Sequence, residues 1–331
     1  MKLIFLILIA LISGWSAARC QDTECTGEWE KYKTNPVLGK EVGAISDACV
    51  LKSNDGTYRM YYSLYEQYGL VLSESSDGIK WGAPVVCLTT AFDTLGWEQD
   101  ISQPFVLLKD GTWHLWYAGV VWDANAEGHA GIGYAVSRDG KSWTRKSAVP
   151  VLKANTAWEK GSVSGSHVIW DEKEKLFKMW YSAGDKFEPD AIGYATSKDG
   201  LHWEKCKDNP IFNSNKQLPW EQSRVTDCRV IKRANDYLMF YVGYADEKHG
   251  EIGIARSKDG IANWERFKGN PVIRHCAGAT WDSEAVYKPS VLPDSGNNRW
   301  LLYYNGRSAV HNDRIFEQIG VAVYDGMELE F

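Results

Sequence analysis

The 331-residue sequence has no run of lysine and arginine, and its net charge is −6 at pH 7. No basic surface for nucleic acid is expected, so nucleic acid is not a predicted partner. The sequence also has no C-x-x-C pair and no regular cysteine spacing. Seven cysteines are present, at positions 20, 25, 49, 87, 206, 228 and 276. Their spacing predicts buried thiols or one or two isolated bridges, not a disulfide framework.

Long apolar runs are also absent, with one exception at the N-terminus. Lys2 precedes the apolar stretch from Leu3 to Ile12, and small residues follow it. This order is typical of a secretory signal peptide, which we predict over residues 1–20. The run is too short to cross a bilayer. We therefore expect a secreted or periplasmic protein without a membrane span. A lipid anchor on Cys20 is the alternative, and Arg19 just before it disfavours that alternative.

One short pattern, in contrast, is abundant. The segment SRDGKSW (137–143) recurs as SSDGIKW (75–81), SKDGLHW (197–203), SKDGIANW (257–264) and, in reduced form, YDGMELEF (324–331). The aspartates of these copies lie roughly 60 residues apart, a period that suggests propeller blades. Asp and Gly suit a tight turn, and the Trp can pack between neighbouring blades. The repeated turn is therefore predicted to be structural.

Each repeat contains the strands of a four-stranded blade. An inner strand such as ISDACVL (45–51) precedes an aromatic strand such as YRMYYS (58–63), and a third strand leads into the turn. A fourth short strand, such as NPIFN (209–213), follows. The fifth repeat lacks this strand, so the orphan segment NPVLG (35–39) is predicted to complete the last blade and close the ring. The sequence thus predicts an all-β fold, a five-bladed β-propeller, as one domain over residues 27–331.

Functional residues are expected in the channel, where the inner strands differ from one another. One column is polar or small and varies between blades: Asp47, Gln103, Gly165, Asp227 and Lys288. Neighbouring positions add further carboxylates and polar groups. The predicted catalytic residues are Asp47, Asp100, Asp227 and Glu284. The predicted substrate-binding residues are Gln103, His167, Arg224, Tyr287 and Lys288.

Carboxylates clustered with cations suit the transfer of a glycosyl group to water. One carboxylic acid protonates the leaving oxygen, while one carboxylate activates water or attacks the sugar. We predict Asp47 as the base, Asp227 or Glu284 as the acid and Asp100 as an orienting carboxylate. A glycan-binding propeller without catalysis and a protein-interaction scaffold are the alternatives. No cofactor or metal is predicted, and no motif supports a structural calcium in the channel.

The five blades, the inner-strand carboxylates and the S-x-D-G-x-x-W turns followed by N-P-apolar strands resemble the five-bladed glycoside hydrolases of families 43 and 32. The resemblance implies an enzyme whose partner is a carbohydrate. For family 43 it implies a base at Asp47 and a second carboxylate at Asp100. Ser164 stands where the family's third-blade acid is expected, so the acid is assigned to another blade. A similarity to family 130 phosphorylases implies a basic phosphate site at Arg224 and Lys288.

Overall fold

The computed structural model describes residues 29–39, 41–65, 69–122, 128–185, 189–279, 281–308, 317–329 and 331. The predicted signal peptide and Cys20 lie outside these residues and stay predictions, as does the domain boundary at residue 27. The described chain forms five antiparallel sheets, and each sheet is formed largely by the strands of one sequence repeat. These sheets are the blades of a propeller. The predicted five-bladed architecture is confirmed. Within the described ranges, no helix is long and apolar enough to cross a membrane.

Within each blade the strands follow one another in sequence from the channel outward, except that the outermost strand of blade 5 comes from the N-terminus. Blade 1 contains β2 (Ile45–Lys52), β3 (Tyr58–Leu64), β4 (Gly69–Ser75) and β5 (Val85–Thr89). Blade 2 follows a short helix, α1 (Phe92–Leu95), and contains β6 (Asp100–Lys109), β7 (Thr112–Trp122), β8 (Gly128–Ser137) and β9 (Thr144–Arg145). Blade 3 follows a 3₁₀ turn (Ala157–Glu159) and contains β10 (Gly161–Asp171), β11 (Leu176–Asp185), β12 (Ala191–Ser197), β13 (Glu204–Lys205) and β14 (Phe212–Asn213).

Blades 4 and 5 complete the ring. Blade 4 contains β15 (Arg224–Lys232), β16 (Tyr237–Tyr244), β17 (Gly250–Ser257) and β18 (Glu265–Arg266). Blade 5 contains β19 (Ala285–Asp294), a 3₁₀ turn (Ser295–Asn297), β20 (Arg299–Arg307), β21 (Glu317–Asp325) and, from the N-terminus, β1 (Trp29–Lys31). β1 pairs with β21, which confirms that the N-terminal segment completes the last blade.

In blades 2 to 5 the outer strand is divided into two short pieces, which refines the predicted N-P strands, whereas blade 1 has the single strand β5. In blades 2 to 4 the first piece directly follows the turn tryptophan, as β9, β13 and β18 do, and in blade 5 the first piece is β1. The N-P segment then adds a second contact, as where Leu38 bridges Ile319. Between the two pieces, an asparagine side chain takes the place of backbone hydrogen bonds between the strands. In blade 3, Asn209 Oδ1 accepts the Tyr194 N–H at 2.8 Å, and its Nδ2 donates to the Tyr194 carbonyl at 3.0 Å.

The repeated turn joins neighbouring blades. In the copy at 137–143, Asp139 Oδ1 accepts hydrogen bonds from two following backbone amides, and Ser137 Oγ accepts the Gly140 N–H at 2.9 Å. The carbonyl of Gly140 then accepts the Tyr61 hydroxyl of blade 1 at 2.8 Å, in a buried contact. Trp143 packs edge-on against the same tyrosine, with ring centroids 6.0 Å apart. The predicted structural role of the turn is confirmed by these contacts.

A buried acid stands before the inner strand of blades 2 to 5. In blade 2, Glu98 is fully buried, accepts the Tyr117 hydroxyl at 2.6 Å and forms a forked ion pair with Arg145 on β9. The equivalent sets are Glu159, Tyr181 and Lys205 in blade 3, Glu221, Tyr241 and Arg266 in blade 4, and Asp282 with Lys31 in blade 5. These carboxylates tie the inner strand of a blade to its outer strand, away from the channel.

Candidate active site

Each inner strand is interrupted by a bulge, where its register with the second strand shifts. The residues at the bulges adopt left-handed backbone angles, and they are the column that the sequence singled out. Their φ values are 65° for Asp47, 54° for Gln103, 57° for Gly165, 41° for Asp227 and 53° for Lys288. A bulge re-aims a side chain out of the regular alternation of a strand. We call this set the bulge ring.

The bulge ring brings two of the predicted catalytic aspartates together through one lysine. Lys288 Nζ lies 2.8 Å from Oδ1 of Asp227 and 3.6 Å from Oδ1 of Asp47. All three side chains are largely buried, with 13%, 6% and 7% of their surfaces exposed. Blades 1, 4 and 5 therefore meet in a compact group of two carboxylates and one ammonium. Such a group needs its cation, since two buried carboxylates alone would repel each other.

The carboxylate of Asp47 is held from several sides. Its Oδ2 accepts the hydroxyls of Ser46 at 2.9 Å and Ser63 at 2.8 Å, and the Gln103 N–H at 3.3 Å. Ser46 is also 2.9 Å from the hydroxyl of Tyr65, a residue that is 41% exposed. These donors orient the carboxylate, and its Oδ1 faces the lysine. This geometry fixes the orientation of the Asp47 side chain.

Blades 2 and 3 complete the ring without adding charge. The Gln103 side chain accepts the Gly165 N–H through its Oε1 at 2.6 Å. A Cβ on Gly165 would lie 2.5 Å from Oδ1 of Asp227, so a glycine is required at this position of blade 3. Ser182 accepts the Asp227 N–H at 2.8 Å and fixes the bulge of blade 4.

His167 lies in a different layer from the bulge ring. Its ring is 4.7 Å from that of Phe105, and its Nε2 donates to the Val230 carbonyl at 2.8 Å. Burial, assisted by the Arg229 guanidinium, lowers the pKa of His167 to about 3, so the imidazole is neutral. The structure thus packs His167 inside the channel wall. Its predicted role in substrate binding stays a prediction that these contacts do not support.

The other predicted residues surround the ring. Burial, together with the charge of Asp47, raises the pKa of the half-buried Asp100. The Arg224 guanidinium lies over the ring of Tyr244 at 4.7 Å. Glu284 donates its backbone N–H to the Arg307 carbonyl. Among the described residues, no contact joins the Glu284 carboxyl to the bulge ring.

One acidic residue of this region was missed by the sequence reasoning. Glu317 begins β21, where it pairs with Arg307 of β20. The same register position holds Ala130 in blade 2 and Gly250 in blade 4. A comparison of the third strands would have found acidic residues at this position in two blades, Glu317 in blade 5 and Asp190 in blade 3. Burial raises the pKa of Glu317 to about 7, and the charge of Asp47 adds to the effect.

Comparisons with known proteins agree with this architecture. Residues 93–282, more than half of the chain, match the family described as glycosyl hydrolases family 32 N-terminal domain. A thermostable family-43 glycoside hydrolase is similar in structure, with a TM-score of 0.67, 18% identity and coverage of 86% of this chain and 91% of that one. An exo-1,5-alpha-L-arabinanase from a bovine ruminal metagenomic library has a TM-score of 0.60 at 16% identity, covering 84% and 92%.

Two curated relatives come from Thermoanaerobacter sp. (strain X514). A 1,2-beta-oligomannan phosphorylase is 33% identical over 172 residues, which cover 48% of this chain and 52% of the relative. A beta-1,2-mannobiose phosphorylase is 25% identical over 242 residues, covering 55% and 76%. The chain thus spans about half the length of the first of these. The resemblance to families 43 and 32 is confirmed: the chain belongs to the glycosyl hydrolase family 32 N-terminal-domain family, as a glycosidase-like five-bladed propeller.

Proposed function

We propose that this protein cleaves glycosidic bonds in a beta-1,2-linked mannoside by hydrolysis, with Asp47 as the base that activates water. The observation that carries the proposal is the bulge ring, in which Asp47 and Asp227 share Lys288 at the centre of the propeller. Hydrolysis of a glycoside requires one carboxylate to receive a proton from water. Asp47 is oriented by three hydrogen-bond donors and is positioned for that task.

The substrate class rests on the curated relatives, since two of them are named for beta-1,2-linked mannosides. Both relatives are phosphorylases, so the nucleophile is a separate question. The ammonium of the bulge ring already faces two carboxylates. A phosphate dianion beside these carboxylates would be repelled, whereas water would not. The charges of the ring therefore favour hydrolysis over phosphorolysis.

The experiment is a cleavage assay of beta-1,2-mannobiose and longer oligomers, with arabinan, xylan and fructan as comparison substrates. Each is incubated with and without inorganic phosphate, and the products are separated. Free mannose formed without phosphate is the expected result. Mannose 1-phosphate formed only when phosphate is present would contradict hydrolysis and favour the basic phosphate site. Binding of the oligomers without any product would favour the glycan-binding alternative.

We further propose that the protein is exported. The support is the N-terminal sequence pattern and the participation of Cys276 in a disulfide, because disulfides persist in oxidising compartments. The full chain, expressed in its own cell type or a close substitute, should accumulate outside the cytosol with its first 20 or so residues removed. Mass spectrometry of the mature N-terminus measures this. An intact Met1 on cytosolic protein would contradict export, and a lipid on Cys20 would favour the anchored alternative.

A further inference from the structure

We propose that Glu317 is the proton donor to the leaving-group oxygen, an assignment that rests on the proposed function. The carboxyl lies at the start of β21, and its Oε2 is buried without a hydrogen-bond partner among the described residues. Beside it lies the buried hydroxyl of Tyr287, which acts on the Glu317 carboxyl as a hydrogen-bond donor and lowers its pKa. Tyr287 itself is 6% exposed. A buried carboxyl oxygen with unused hydrogen-bonding capacity indicates a place built for a polar ligand.

The charges around Glu317 come from all the neighbouring elements. Asp47 on β2 raises its pKa, while Tyr287 and Lys288 on β19 and Arg307 on β20 lower it. Burial is the largest influence, and the resulting pKa is about 7. A general acid works best when its pKa is near the working pH, since it then carries a proton and can still release it. The charges of Glu317 and Asp47 both raise the pKa of Tyr65, which contacts the Ser46 hydroxyl. Tyr65 therefore lies near both carboxyl groups.

The other candidate acids are less suited to proton donation. Asp227 is already engaged in an ion pair, because Lys288 Nζ lies 2.8 Å from its Oδ1. Ser164, at the position where the family 43 acid is expected, cannot donate a proton at useful pH. Asp100 has a raised pKa, but its carboxyl accepts the Ile101 N–H, which opposes protonation. Glu317 combines a raised pKa with a carboxyl oxygen that has no hydrogen-bond partner among the described residues.

In the proposed reaction, Glu317 donates one proton and Asp47 receives one. The bond between C1 of the sugar and the glycosidic oxygen breaks, and its electron pair stays on that oxygen. The oxygen takes the proton of the Glu317 carboxyl. Water forms the new bond to C1, and the proton it loses goes to the Asp47 carboxylate. The products are a free sugar and the shortened acceptor, and one proton returns from Asp47 to Glu317 through solvent.

The test compares two substrates in Glu317→Gln, which preserves the size of the side chain. A dinitrophenyl mannoside needs no proton on its leaving group, whereas mannobiose does. We expect kcat/KM to fall at least about 100-fold on mannobiose but only a few-fold on the activated substrate. On mannobiose, the pH profile of the wild-type enzyme should have an alkaline limb near pH 7. The profile of the variant on the activated substrate should lack this limb. Glu30→Gln, an exposed carboxylate on the neighbouring β1, is the matched control.

Two further variants sharpen the test. Tyr287→Phe removes the donor that stabilises the charged form of Glu317, so the alkaline limb should move to higher pH. Glu317→Asp, together with melting curves, covers the case in which the glutamine variant does not fold. Equal losses on both substrates, or a leaving-group signature in Asp100→Asn or Glu284→Gln instead, would overturn the assignment alone. A wild-type protein inactive on every glycoside would overturn the proposed function as well.

Discussion

Two regions of this propeller use the same backbone conformation for opposite purposes. The outer turns of blades 1 to 4 each place a glycine in the left-handed region, with φ between 74° and 77°. The bulge ring also uses left-handed residues, but only one of the five is glycine. A left-handed residue other than glycine costs about 1–3 kcal/mol and persists only where its surroundings enforce it. The chain thus uses glycine where the shape alone matters and tolerates strain where a side chain is needed.

The same contrast applies to the hydrogen bonds. The outer turns of blades 1 to 4 repeat one arrangement, in which a serine and an aspartate cap backbone amides. In the bulge ring each blade contributes a different group, and the groups bond to one another across blades. Changes in the ring should therefore alter activity more than stability. Changes in the repeated framework should do the reverse.

The largest effect is expected for Asp47→Asn. The amide keeps the shape of the side chain but cannot take a proton from water, so kcat should fall by about 1000-fold. Mannobiose hydrolysis measures this, and a thermal melt checks that the variant folds. A variant that kept a tenth or more of wild-type activity would show that another group is the base. The bulge ring would then no longer differ from the framework in its effect on activity.

The next effect is expected for Glu98→Ala, in the framework of blade 2. The substitution leaves the Arg145 guanidinium and the buried Tyr117 hydroxyl without their partner. Breaking a buried pair in this way costs about 3 kcal/mol. Urea unfolding measures the free energy, and kcat/KM on mannobiose should stay within twofold of wild type. Glu98→Gln, which retains a partner for the tyrosine, should lose less. A loss of activity without a loss of stability would contradict the division of roles.

A smaller effect is expected for Asp139→Ala in the outer turn. Backbone N–H groups of Ser142 and Lys141 lower the pKa of Asp139 to about 2. The carboxylate therefore contributes stability above the ordinary pKa near 4, and the contribution is lost as the pH falls towards 2. At pH 7 the melting temperature should fall by about 2 °C. The deficit should shrink as the pH falls from about 4 to about 2, and a deficit independent of pH would contradict the role of the charge.

The smallest effect is expected for Tyr65→Phe. The hydroxyl contacts Ser46, which in turn donates to Asp47, so its loss weakens the orientation of the base indirectly. One neutral hydrogen bond corresponds to about a threefold change in kcat. Ser63→Ala, which removes a direct donor to Asp47, should reduce kcat more. If the two variants were equal, or if KM alone changed, Tyr65 would act on the substrate and not through Ser46.

The fold was predictable because its signals are local and repeated. The Asp-Gly turns, the aromatic second strands and the alternation of the third strands are written once in every blade. The outer strand is only partly predictable: the sequence favours the N-P segments as the fourth strands, yet in blade 3 the first pairing comes from Glu204 and Lys205, directly after the turn tryptophan. That choice depends on which residues reach the neighbouring strand first, and no local propensity encodes it.

The sequence by itself determined the number of blades, the closure by the N-terminus and the column that faces the channel, because these follow from periodicity and from where repeats differ. Only the tertiary structure decided which residues of this column contact one another. In the folded protein, Lys288 joins Asp47 to Asp227, and His167 packs against Phe105. Glu317 lies near enough to Asp47 for that charge to raise its pKa. Such pairings depend on distances between residues that are far apart in the chain, and burial and charge, which set their pKa values, arise only when the ring is closed.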